Sequence, residues 1–178
     1  NDYLQTINRQ IKDIENLVNE FSNFARMPRP IVKKIDINKV ILRSINFLKI
    51  SLKSKIFFSK NKESNFIMGD EDQLYRVFIN LIKNADESIA EILSKKPKYE
   101  GKIDIDIFNN NDYKVIVIKD NGEGISDTKK VMTPYFTTKK NETGLGLPIV
   151  NKIINEHSGE FVIKKDKGTT IEIWLPSI

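Results

Sequence analysis

Apolar residues open the chain in a regular rhythm. Leu4, Ile7, Ile11, Ile14, Val18, Phe21 and Ala25 step alternately by three and four, the a/d seam of a coiled coil or helical bundle. Arg9, Lys12, Asp13, Glu15 and Glu20 fall on the wet face between them. Pro28 and Pro30 bias the residues before them toward extended backbone, so this helix should stop near Met27. A lone helix of such length is marginal in water, and its stripe therefore predicts a partner. A second copy of the chain or a helix outside it would serve; packing as a core helix of the same domain is the alternative.

From Ile31 the pattern is mixed. Residues 37–48 read as an amphipathic helix with Val40, Ile41, Ser44, Ile45 and Leu48 on one side. Short strands are expected at 55–59 and 65–68. A long helix should run from about Glu71 to Leu93, capped by Asp70 and carrying Leu74, Val77, Phe78, Leu81, Ile82, Ala85 and Ile89 on its apolar face. Ile103, Ile105 and Ile107 alternate with Asp104 and Asp106, and residues 115–118 form a second strand. The turn Asn109-Asn110-Asn111-Asp112 makes the two an antiparallel hairpin. A helix over 147–157, closed by Gly159, precedes a final hairpin of 161–163 and 170–175 around Lys167-Gly168. Three helices and a mostly antiparallel sheet predict an α+β, two-layer α/β sandwich with the N-terminal helix added.

Composition narrows the classes. The chain has 178 residues, 39% hydrophobic and 30% charged, which suits a globular domain with an appendage. With no cysteine, disulfide scaffolds and thiolate metal sites are excluded. No apolar run approaches the roughly 20 residues of a membrane span. The chain opens on Asn1 and reads as a piece of a longer protein. Its net charge of +5 comes from lysines scattered near element ends (Lys33-Lys34, Lys95-Lys96, Lys139-Lys140, Lys164-Lys165). That is a solvated surface rather than a nucleic-acid patch, and no nucleic-acid-binding motif accompanies it.

Four segments carry chemistry. Asn80 and Asn84 lie four apart in the long helix and share a face. Their amide oxygens suit Mg²⁺, which takes oxygen ligands and shares itself with phosphates. Asp120-Asn-Gly122-Glu-Gly124 follows a strand. Its glycines let backbone approach a ligand, and its carboxylate can accept from an exocyclic amino group such as adenine's. Read alone, Asp-Asn-Gly is also an ordinary turn. Thr143-Gly144-Leu145-Gly146-Leu147-Pro148 opens a helix, where unpaired N–H groups and the dipole favour anions. It is neither a Walker A loop nor a dinucleotide fingerprint. Gly168-Thr169-Thr170 is the fourth and is weak alone. Between the second and third lies Pro134-Tyr135-Phe136-Thr137-Thr138-Lys139-Lys140-Asn141-Glu142, a long polar and aromatic connection that reads as a lid. The lid, 126–143, is expected to be mobile without nucleotide.

In this order the segments resemble the N, G1, F, G2 and G3 boxes of the histidine-kinase ATPase domain, of the gyrase/Hsp90/histidine-kinase/MutL group. The resemblance covers about Ile31 to the end and implies the Bergerat-type ATP fold. The first helix, with its Phe-Ala-Arg-Met-Pro ending, is similar to the second helix of the family's dimerisation and phosphotransfer domain. That ending looks like nitrogen-regulation kinases of the NtrB/NtrY kind, NtrY more closely. The implied domains are 1–30, the end of a truncated dimerisation domain, and 31–178, the ATP-binding domain.

The resemblance implies ATP and Mg²⁺ as cofactors. Asp120 would accept from the adenine amino group, with Thr170 assisting near the base through water; Gly122 and Gly124 would shape the pocket. Asn84 would bind the metal with help from Asn80. Thr143, Gly144, Leu145 and Gly146 would meet the phosphates, and Lys139 would reach them from the lid. The implied partners are a response-regulator receiver domain and a second copy joined through the full dimerisation domain. No nucleic acid or membrane contact is expected of this part, which would lie on the cytoplasmic side of a membrane-anchored sensor.

Two departures matter. The gyrase and Hsp90 branches carry a catalytic glutamate one turn before the metal asparagine; this chain has Asn80 there, which favours transfer to a protein side chain over hydrolysis. Asp86, Glu87 and Ser88 replace the basic and aromatic residues common after the second asparagine, which puts part of the usual adenine packing in doubt. The one histidine, His157, sits in a structural turn and is not the expected phosphoacceptor, which would precede Asn1. A hydrolytic gyrase/Hsp90-like domain, an anti-sigma serine kinase and a degenerate nucleotide-sensing or dimerisation module are the rival readings.

Overall fold

The computed structural model describes residues 2–59, 65–125, 127–128, 130–133 and 144–178. Helix α1 (Asp2–Ala25) leads by a Pro-rich linker into β1 (Lys33–Asp36) and α2 (Ile37–Leu48). Strands β2 (Lys55–Ser59) and β3 (Phe66–Gly69) come before the long α3 (Glu71–Lys95), then the β4 (Lys102–Asn110) and β5 (Tyr113–Asp120) hairpin. After a 3-10 turn at Lys130–Met132 come α4 (Gly146–Glu156), β6 (Glu160–Lys165) and β7 (Thr169–Pro176). The expected sandwich is present: a five-stranded sheet in the order β2-β4-β5-β7-β6, parallel only between β2 and β4, with α2, α3 and α4 over one face. Strand β1, not expected from the mixed pattern after Ile31, pairs with β3 as a separate two-stranded sheet.

Alternation decides which face is covered. Ile103, Ile105 and Ile107 of β4 stand opposite Asp120, Ile118 and Ile116 of β5, and Ile118 and Ile116 opposite Ile171 and Ile173 of β7. These meet Leu74, Val77, Phe78, Leu81, Ile82 and Ile89 of α3 and Ile149, Val150, Ile153 and Ile154 of α4 in one core. Burial of each such side chain contributes about 1.5–3 kcal/mol, so this interface carries the fold.

Helix ends are secured by side chains. Asp70 caps α3 with Oδ1 accepting from Asp72 and Gln73 N–H, both at 3.1 Å. Its Oδ2 accepts Ile31 N–H from the linker at 2.7 Å, and its own N–H donates to His157 Nε2 at 2.9 Å. At the end of α4 the left-handed residue is Ser158 (φ 56), not Gly159. Gly159 is needed there for another reason: a Cβ on it would stand 2.5 Å from the Trp174 carbonyl oxygen.

Among the described residues, no side chain of helix α1 belongs to this core. Leu4, Ile7, Ile11, Ile14, Val18 and Phe21 remain between 48% and 64% exposed. The described positions of the stripe are thus largely exposed rather than packed into the domain core.

Candidate nucleotide-binding site

Three of the four sequence segments meet around the middle of α3. Asn80 and Asn84, both half-buried, face the start of α4, where a Cβ on Gly146 would lie 3.9 Å from Asn80 Oδ1 and 3.9 Å from Asn84 Nδ2. Rotation of the Asn84 amide exchanges its oxygen for its nitrogen at that point, so either asparagine can offer an oxygen to a cation. No group of three or more His, Cys, Asp or Glu that could hold a metal occurs among the described residues. A cation here would rest on amide oxygens and on the phosphates it accompanies, which is the habit of Mg²⁺.

Helix α4 begins without a side-chain cap: Leu145 is the N-cap residue and its side chain accepts nothing. Its first-turn N–H groups are thus available to an anion. Gly144 sits at φ 68, a left-handed conformation that a glycine adopts without strain. Leu145 is fully buried and pins the turn to the core. At 3.9 Å a methyl at position 146 would meet the two amides in ordinary van der Waals contact, so the start of α4 and both asparagines border one place.

Next to this lies a cluster of close backbone contacts around Asp120. Asp120, 6% exposed, ends β5. Its Oδ1 accepts Gly122 N–H at 2.8 Å and Thr169 N–H at 3.3 Å. Burial pushes its carboxyl above the ordinary carboxylate range, and the bonds from Gly122 and Thr169 oppose that. A Cβ on Gly122 would collide with the Ser88 hydroxyl and stand 2.9 Å from Asp120 Oδ1. Gly124 (φ 77) and Gly168 interlock: a Cβ on Gly124 would be 2.8 Å from the Gly168 carbonyl oxygen, and one on Gly168 would land on the Asp120 carbonyl oxygen. The loop after β5 and the β6–β7 hairpin therefore touch main chain to main chain, with the carboxylate of Asp120 fixed between them.

The residue of the last segment that reaches Asp120 is Thr169, not Thr170. Thr169 is buried, whereas Thr170 lies on the other face of β7, opposite Lys119 and Lys164. The alternation of Ile171, Ile173 and Leu175 toward the core carries the signal: counting back in twos from them reaches Thr169. Lys139 and Thr143, with most of the 126–143 lid, fall outside the described residues.

The residues after Asn84 also find structural work. Asp86 is buried and accepts Lys53 N–H at 3.0 Å and Ser54 N–H at 2.8 Å, which ties the α2–β2 connection to α3. Glu87 pairs with Lys83 on the same helix. Ser88 is small enough to let the Gly122 backbone approach. Asn121 holds the approach to β4 by accepting Lys102 N–H at 2.8 Å and donating to the Glu100 carbonyl at 2.9 Å.

His157 is buried, and both ring nitrogens are engaged: Nδ1 faces the Ile153 carbonyl at 2.8 Å and Nε2 accepts from Asp70 N–H. A proton on Nδ1 satisfies both bonds. The lone pair of Nε2 is then occupied, so this imidazole is no nucleophile in the folded chain.

The family model described as "Histidine kinase-, DNA gyrase B-, and HSP90-like ATPase" matches residues 69–178, more than half of the chain. The chain belongs to that family. Among curated relatives of this ATPase domain, the nitrogen regulation protein NtrY of Azorhizobium caulinodans is 35% identical over 156 residues. That match takes in 86% of this chain and 20% of NtrY. Sporulation kinase C of Bacillus subtilis is 34% identical over 98% of this chain and 41% of its own length. The chain thus spans well under half of the relatives it matches. Among solved structures, the nucleotide-free catalytic domain of histidine kinase ThkA superposes with TM-score 0.70 at 25% identity, over 82% of this chain and 95% of that one. Full-length ShkA, in complex with AMPPNP, shares the fold over 99% of this chain and 39% of its own, with TM-score 0.75 at 16% identity.

Proposed function

We propose that this chain is the ATP-binding catalytic part of a sensor histidine kinase, and that ATP–Mg²⁺ binds between α3 and the start of α4. The observation that carries the reading is the meeting of Asn80 and Asn84 with Gly146 at the uncapped start of α4. It joins oxygen ligands for a cation to N–H donors for phosphate at one place. Gly122, Gly124 and Gly168, which approach closely around the buried Asp120, would receive the edge of a purine. Asp120 would accept from the adenine amino group, and Asn84 with Asn80 would hold the metal. Mg²⁺ would supply charge neutralisation on the phosphates. Thr143 and Lys139 are proposed phosphate contacts from the lid; Thr170, on the outer face of β7, assists at most through water.

The reaction follows from what the site holds. The position one turn before Asn84 carries Asn80, an amide that cannot take a proton from water as a carboxylate would. Asp86 is committed to Lys53 and Ser54 N–H groups. Transfer of the γ-phosphoryl group to an imidazole nitrogen needs no such base. With His157 engaged, the acceptor histidine lies outside this chain. Residues 1–30 would be the second helix of the dimerisation and phosphotransfer domain, through which two copies pair, and residues 31–178 the catalytic domain. The phosphoryl group would pass on to an aspartate of a response regulator. No helix of the described residues is long and apolar enough to cross a membrane; we place this part on the cytoplasmic side of a membrane-anchored sensor.

Calorimetric titration with a non-hydrolysable ATP analogue, with and without Mg²⁺, tests the reading. Saturable binding is expected, weakened at least about tenfold by Asp120→Asn through loss of a charge-assisted hydrogen bond. Asn84→Ala should make the remaining affinity insensitive to Mg²⁺. A folded chain that binds no nucleotide would overturn it.

A further inference from the structure

The ridge of α3 that bears Asn84 and Asn80 continues, one turn nearer the helix start, to Arg76. Arg76 is half-buried, yet among the described residues no carboxylate pairs with it. The nearest acidic residues in sequence, Glu71 and Asp72, are both taken by Arg43, which also lies over the Tyr75 ring. A half-buried arginine buries its stem and keeps its guanidinium at the edge of water, where an anion can reach it. Its planar fork fits a phosphate with two parallel hydrogen bonds.

The contacts along α3 give that anion a place. Ser88 lies against Gly122, beside Asp120, and marks the base end of the site. Asn84 and Asn80 meet Gly146 and mark the phosphates. His157, at the far end of α4, accepts from Asp70 at the start of α3, so the two helices run antiparallel. Arg76 lies one turn beyond Asn80 on this ridge, turned about 40° further round the helix, and its long side chain can reach back to the place the asparagines mark. Each step of four residues advances about 6 Å, and the whole line from Ser88 to Arg76 about 18 Å, a span comparable with an extended nucleoside triphosphate.

We propose that Arg76 binds the terminal phosphoryl group of the triphosphate and holds it during transfer. This rests on the nucleotide-binding reading above. In the reaction the lone pair of an acceptor imidazole nitrogen forms the new N–P bond. The bond from phosphorus to the β,γ-bridging oxygen breaks, and its electron pair leaves with ADP. Arg76 exchanges no proton; its fixed positive charge faces the oxygens of the phosphoryl group while they carry the charge of the transition state. The same contact separates triphosphate from diphosphate, because ADP leaves Arg76 without a partner.

The test is titration of the chain with ADP and with a non-hydrolysable ATP analogue, each with Mg²⁺, for the parent, Arg76→Ala, Arg76→Gln and Arg76→Lys. The Ala and Gln variants should bind the analogue about tenfold more weakly and ADP within about twofold of the parent. Lys, a point charge without the fork, should fall between them and the parent. The ADP affinity reports that each variant is folded, and Gln keeps the side chain's polarity should Ala disturb α3. Equal weakening of both nucleotides, or an unchanged analogue affinity, would overturn the assignment of Arg76 alone. A parent that binds neither nucleotide would overturn the reading beneath it.

Discussion

Burial pushes the Asp120 carboxyl above the ordinary carboxylate range, while the Gly122 and Thr169 bonds pull the other way. A group whose folded-state pKa is raised contributes stability that is full below its unfolded pKa and lost as pH rises through the folded value. Asp120 therefore weighs against the fold at neutral pH. Asp120→Asn, which keeps an acceptor for both N–H donors, should raise the melting temperature most near pH 7, the gain shrinking as pH falls toward about 4. A gain independent of pH, or a loss at pH 7, would contradict this account. Asp70 has the opposite sign: burial raises its pKa, but N–H groups of Gln73, Ile31 and Asp72 outweigh that and hold it below the ordinary value. Its contribution is present above the unfolded pKa and is lost as pH falls through the folded one. Packing at Gly122 offers a sharper test. Gly122→Ala should destabilise by about 1–3 kcal/mol through overpacking, and Ser88→Gly in the same chain should recover part of it by removing the hydroxyl that the new methyl meets. Denaturant melts of both single variants and the double read the coupling; strict additivity would show that the two side chains do not meet.

At the scale of elements, the start of α3 is a junction. Asp70 joins the linker at Ile31, the first turn of α3 and, through His157, the end of α4. His157→Ala leaves the Asp70 N–H without an acceptor at a partly buried position and should cost about 1–3 kcal/mol by chemical denaturation. Nucleotide affinity of the folded fraction should be unchanged, since the ring touches neither asparagine nor glycine loop; its loss would show that the end of α4 governs its beginning. Helix α1 exposes the described apolar positions of its seam. Without partners its 24 residues are marginal, so helix content by circular dichroism should rise with protein concentration. Replacing Ile7, Ile11 and Ile14 by Glu should abolish that rise and any dimer seen in sedimentation; a concentration-independent helix signal would refute it.

For the whole molecule, the hydrophobic periods made the sandwich legible. Leu74 to Ile89 predicted α3 with its cap, and the alternating isoleucines predicted the β4–β5 hairpin, because both are amphipathic against a single core. Strand β1 was not legible, since Lys33-Lys34-Ile35-Asp36 has one buried side chain and belongs to a strand only by pairing with β3. Of the proposed site, Asn80, Asn84, Asp120 and the glycines stand out by their order along the chain. Thr169 and Thr170 could not be separated until the register of β7 was fixed, and Ser88 gained meaning only from the backbone that presses on it. That register has a consequence for the birth of the protein. Strand β7 lies between β5 and β6, and Gly168 closes on Asp120 from the hairpin that leads into it. On the ribosome, α3 and the β4–β5 hairpin can be complete while the surroundings of Asp120 still lack a wall. That enclosure cannot exist until β7 has emerged and inserted, so a nascent chain stalled before Thr169 would hold its asparagines in order while Asp120 still lacked its bond from Thr169.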